Sequence, residues 1–196
     1  MHSNYQPEEK SMTTLSDAFA RNIWIGTMAT VSTVTSLLLA CATPFPSLAA
    51  LAATNVSRRD GMVLMFVAWF AAQAVGFIVH GFPFEPASMV WPFALGTAAV
   101  GSLLAAEFAR QSMASTHALL RAGGAYIGAF AGFKLGILLW VSLLDHGWAA
   151  FSADIMLRQF VRYGAIFAGM AAVQYALTRL GVRVASDRYA RAASAA

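Results

Sequence analysis

The chain has 196 residues; 11% are Asp, Glu, Lys or Arg and 59% are apolar. Soluble domains carry roughly 25% charged and about 45–50% apolar residues, and a chain of this size keeps roughly 30% of its surface exposed. A soluble monomer, a disordered chain, a disulfide scaffold and a nucleic-acid-binding domain are therefore all disfavoured, and lipid is the simplest solvent for so much apolar surface. The net charge of +4 is explained below by where the basic residues fall.

Residues 1–21 read as a short cytoplasmic tail with a helix starting near Ser16 and Asp17, and they lack the apolar region of a secretory signal. Cys41 is the single cysteine, so internal disulfides and multi-thiolate metal sites are excluded. Residues 22–57 carry no Asp, Glu, Lys or Arg, too many for one straight span and too few for two. Pro44 and Pro46 break this run, because each lacks a backbone donor and disfavours helix just before it. The pattern predicts a helix over 22–42 and a short one over 47–57, capped by Ser47.

Residues 61–84, 86–106 and 163–178 are also free of charged side chains, and 122–144 hold only Lys134. These runs predict spans over 62–81, 88–108, 122–144 and 162–181, with an interfacial helix over 147–161 on which Met156, Leu157 and Phe160 share a side. The expected fold is an all-α integral membrane protein: a six-segment helical bundle over 22–181, with a proline-broken second helix and a basic cytoplasmic tail over 182–196.

Basic residues set the orientation. With both termini cytoplasmic and the short helix returning the chain inward, Lys10, Arg21, Arg58, Arg59, Arg110, Arg121, Arg179, Arg183, Arg188 and Arg191 lie inside, against Arg158 and Arg162 outside. Topology thus accounts for the basic balance, and the expected location is a bacterial-type cytoplasmic (inner) membrane. Trp24, Trp91, Trp140 and Trp148 fall near the interfaces, whereas Trp69 sits deeper.

Gly124, Gly128, Gly132 and Gly136 recur at every fourth residue of the fifth helix, a zipper that lets another backbone approach closely. Lys134 lies mid-span, away from that glycine face. An intramembrane lysine costs several kcal/mol unless it pairs, faces a cavity or loses its proton. Two readings stay open: contact with an anionic substrate or a relay, and a structural bond to helix-end carbonyls. On the third helix Trp69, Gln73 and His80 share a face with Gly76, which suits a pocket wall, polar glue between helices being the plainer reading. Gln174 on the last helix and Asn55 near the end of the short one complete the candidate substrate-binding set. His80, His146, Asp145 and Glu85 lie on the outer side without zinc-motif spacing, so no metal site is assigned. No phosphate-binding glycine loop, GxSxG, HExxH or CxxC occurs, and neither an enzyme activity nor a cofactor is expected.

The size, the six segments with both ends inside, the small-residue faces and the lack of an ATPase motif resemble the substrate-binding S components of energy-coupling factor vitamin transporters. The resemblance lies in the overall plan rather than in a matched motif. It implies a subunit that binds a small, vitamin-like solute in an outward-facing intramembrane pocket and works with a separate transmembrane coupling subunit and ATPases. The lipid bilayer and a small molecule are then the partners, and nucleic acid is not. A non-catalytic structural or assembly subunit fits the zipper and short loops as well, and an ion or metal permease is the third reading.

Overall fold

The computed structural model describes residues 9–38 and 44–179, and all six of their long elements are helices: α1 Glu9–Leu38, α2 Phe45–Asn55, α3 Arg58–Ala74, α4 Pro86–Ser112, α5 Ala118–Leu144 and α6 Ala153–Arg179. Cys41 and the C-terminal tail over 182–196 lie outside the described residues. Among the described residues, four stretches are long and apolar enough to cross a membrane: Arg58–Val79, Met89–Ser112, Ala118–Leu144 and Ala153–Arg179. Phe66, Ile78, Phe108 and Leu119 are exposed on them, a surface suited to lipid rather than water.

The short helix is the axis of the bundle. Its first nine residues, Phe45 to Ala53, are all buried. A helix apolar all round needs neighbours on every side, and α2 packs on α3, α4, α5 and α6. Alanines at 49, 50, 52 and 53 let those neighbours come close. The proposed cap is corrected: α2 begins at Phe45 behind Pro44, and no side chain caps it. Ser47 instead donates its hydroxyl to the Tyr163 carbonyl of α6 at 2.7 Å, because position 47 is already inside the first turn.

The tightest helix contact joins α4 to α5. Alanine side chains built at Gly128, Gly132 and Gly136 would meet α4 atoms of Ala105, Gly101 and Ala98 at 2.8 Å or less. The Ser102 hydroxyl donates across this seam to the Ala129 carbonyl at 2.8 Å, and the Trp140 indole donates to the Thr97 hydroxyl at 2.7 Å. Gly124 lies against the flexible Met113 side chain instead. By contrast, α5 and α6 meet through rings: Tyr126 stacks on Phe167 with centroids 5.6 Å apart and donates its hydroxyl to the Phe160 carbonyl.

Helix α1 runs along α3 and closes on α6 where the buried Trp24 indole donates to the Gln174 side-chain oxygen. Three of its threonines satisfy themselves: Thr30, Thr33 and Thr35 donate to the carbonyls four residues earlier. At one end of the bundle Arg21 pairs with Asp60 at 3.5 Å and Arg58 with Glu107 at 3.3 Å, tying α1 to α3 and α3 to α4. Arg58 is exposed, whereas Glu107 is buried and has this arginine as its ion-pair partner.

Two boundaries differ from the sequence expectation. Helix α1 begins at Glu9, well inside the stretch expected to be a tail. The separate interfacial helix over 147–161 does not form: a short 3-10 turn, Trp148–Phe151, leads straight into α6, which starts at Ala153. Met156 and Phe160 pack on the core, and this burial extends the helix through them.

Candidate functional site

Lys134 is the feature with chemical consequence. It projects from α5 about 15 Å from the Leu144 end of that helix, taking ~1.5 Å per residue. The side chain is only 6% exposed. Its ammonium donates to the Ala150 carbonyl at 3.0 Å and lies 5.9 Å from the Phe130 ring centre and 5.2 Å from that of Phe151. Aromatic faces attract a cation, more so where water is excluded. No acidic side chain pairs with it among the described residues. An ammonium has three donors, and the Ala150 carbonyl is its one hydrogen-bond acceptor among the described residues.

The strap between α5 and α6 brings that carbonyl to the lysine. Asp145 and Gly147 both adopt left-handed backbone, with φ of 48° and 99°. Together they turn the chain back toward the bundle. The Trp148 indole donates to the Asp145 carboxylate at 3.1 Å, and the Ala150 N–H to the Gly147 carbonyl at 3.0 Å. Gly147 lies under Trp91, and a side chain there would come within 3.1 Å of its ring. Phe151 then packs against the core beside Lys134.

The amino end of α2 stands at the same level of α5. The Phe45 ring, on the first residue of α2, packs on Phe133 with centroids 6.1 Å apart, one residue from Lys134. A helix amino end carries partial positive charge, so Lys134 and α2 bring charge of one sign to one region.

The other candidates lie elsewhere. Trp69 donates its indole N–H to the Pro92 carbonyl of α4 at 2.8 Å. Its ring borders an apolar groove of about 250 Å³ between α3 and α4, along with Met62, Met65, Phe66, Phe93 and Gly96. Gln73 is half-buried one turn further along α3. His80 does not continue the Trp69 face: a π-helical turn, Val75–Val79, intervenes, and its wider winding rotates later residues off the α-helical register. Gly76 makes room for the Phe82 ring on that turn, and His80 stacks on Phe82 at 6.1 Å in an exposed loop. Gln174 accepts from Trp24. The Asn55 amide donates to the Leu51 carbonyl and the Thr54 hydroxyl, closing the last turn of α2.

Of the six residues only Lys134 belongs to the region just described; Trp69, His80, Gln174 and Asn55 make their contacts elsewhere. Sequence reading missed Phe130, Ala150 and Phe151. The available signal was Asp-His-Gly-Trp at 145–148, a turn motif with Phe151 three residues beyond its tryptophan. No group of three or more metal-ligating side chains occurs among the described residues.

Comparison with protein-family models, curated proteins and solved structures gives no match to this chain.

Proposed function

We propose that this is a multi-pass membrane subunit that binds a small solute for import, with the Lys134 ammonium as its anchor. The observation that carries the reading is a nine-tenths-buried cation whose hydrogen bond goes to a neutral carbonyl and which has no acidic partner among the described residues. An isolated charge at that depth costs several kcal/mol, and an apolar side chain of similar length would fill the volume without that cost. Such a group suits recognition of a ligand that brings the missing negative charge. The S-component arrangement that the overall plan resembles implies a separate transmembrane coupling subunit and ATPases as the source of energy for uptake. The distribution of basic residues supports cytoplasmic termini in a bacterial-type cytoplasmic membrane.

The test is purification in mild detergent followed by mass spectrometry of co-purifying small molecules and proteins. Wild-type protein is expected to retain a small solute that Lys134→Ala loses while still eluting as a folded, monodisperse species. Equal retention by both overturns the reading. A second reading, an assembly subunit of a larger complex, is favoured by one feature: Asn22, Gly26 and Thr30 make an exposed polar and small stripe on α1, a surface better suited to another helix than to lipid tails. A stoichiometric, ligand-free complex would support it.

A further inference from the structure

We infer that the ligand of the Lys134 site is an apolar monocarboxylate, and that the Trp148–Phe151 strap is the element it displaces, its carboxylate taking the place of the Ala150 carbonyl. The inference rests on the solute-binding reading above and adds the ligand class and the moving part.

The argument starts from what occupies the lysine. Its observed acceptor is a neutral amide oxygen, and its flanks are two phenyl rings. A carboxylate makes the stronger, charge-assisted bond to an ammonium, and low local dielectric widens that advantage. The carbonyl is thus an exchangeable placeholder. The surroundings are apolar: the Phe130 ring lies beside the ammonium, and Phe133 and Ile137 are buried one and three residues along α5. Phe151 completes them from the strap. One positive group among apolar walls, with a helix amino end at the same level, selects a ligand with one anionic head and a hydrocarbon or aryl body. A dianion would leave its second charge unmatched.

The strap is built to move as a unit. It is a four-residue 3-10 turn, bracketed by left-handed Asp145 and Gly147 before it and by extended Ser152 after it. Trp148, its first residue, is half exposed, while Phe151 and the Lys134 bond to Ala150 hold the strap beside the lysine.

The experiment uses the full chain in detergent with Cys41→Ser and Ala150→Cys, a pairing that retains the backbone carbonyl and places a thiol on the half-buried strap residue. Maleimide labelling rates are measured with octanoate, with benzoate, and with succinate as the dianion; binding is measured separately by calorimetry. Octanoate or benzoate is expected to raise the labelling rate at least severalfold, with succinate without effect. Adding Lys134→Met should give fast labelling that no anion alters, whereas Lys134→Arg should label slowly and respond as lysine does. Carboxylate binding with unchanged labelling overturns the strap exchange and leaves solute binding standing. A co-purified solute that depends on Lys134, together with no binding of either monocarboxylate, overturns the ligand class alone. Equal carboxylate binding by the Lys134→Met protein, verified as folded by gel filtration, overturns both. Should that variant not fold, the wild-type response together with the Lys134→Arg response decides the question.

Discussion

Alanine at Gly132 is expected to loosen the seam between α4 and α5. The added carbon would lie 2.5 Å from the Ala105 methyl and 2.7 Å from the Gly101 carbonyl oxygen. Carbon atoms pack at about 3.5–4.0 Å, so the two helices have to part by roughly 1 Å. Both obstacles are fixed to the α4 backbone, and neither can swing away. Overpacking of this kind costs about 1–3 kcal/mol. The same movement stretches the 2.8 Å bond from Ser102 to the Ala129 carbonyl, adding about 0.5–1.5 kcal/mol. The gain in helix propensity offsets about 1 kcal/mol. A net loss of roughly 1–3 kcal/mol follows, about a five- to 150-fold shift in the unfolding equilibrium. Titration with sodium dodecyl sulfate in mixed micelles, followed by circular dichroism, measures it. Gly123→Ala is the control, because nothing lies within 4 Å of a side chain there. It should match or exceed wild-type stability. Equal stability of the two variants would refute the close-contact argument.

Gly147→Ala should lower the melting temperature, since its φ of 99° is strained for alanine and the new methyl would lie 3.1 Å from Trp91; strain of this kind costs about 1–3 kcal/mol, read by thermal unfolding in detergent. Gln174→Leu leaves the buried Trp24 N–H without its acceptor, a loss of about 1–3 kcal/mol. Adding Trp24→Phe should recover part of that loss, and a strictly additive double mutant would contradict the pairing. On a Cys41→Ser background, Arg59→Cys should react with an impermeant thiol reagent only from the cytoplasmic side and Glu85→Cys only from outside. Labelling of both from one side would contradict the orientation.

The aromatic turn at 145–151 shows why the site was only half legible. Lys134 stood out because a charge within an apolar run is a local property of the chain. Its partner could not be read that way. Ala150 contributes through a backbone carbonyl, which every residue has, and what selects it is the fold of the strap. The same limit separated Trp69 from His80: a uniform α-helical period places them on one face, but the π turn adds residues to its winding and breaks that register. Gln174 looked like a pocket group because a polar side chain in an apolar helix needs a partner, and tertiary packing supplies Trp24.

The seam of α4 and α5 was partly written in the chain. Glycines at every fourth residue announce a close approach, since a missing side chain is visible in sequence. The facing strip, Ala98, Gly101, Ala105 and Ala109, was present too, but alanines are common in any apolar helix and do not name their partner.

By itself, the sequence determined the helical class, the start of the short helix beside the prolines, the long apolar runs and the charge asymmetry, because each follows from local composition and backbone chemistry. Only the tertiary structure decided that the short helix is the buried axis of the bundle, that α6 begins at Ala153, and that Lys134 faces a carbonyl across sixteen residues of chain. Those outcomes depend on which surfaces exclude one another's neighbours, a property of the packed helices together and of no segment alone.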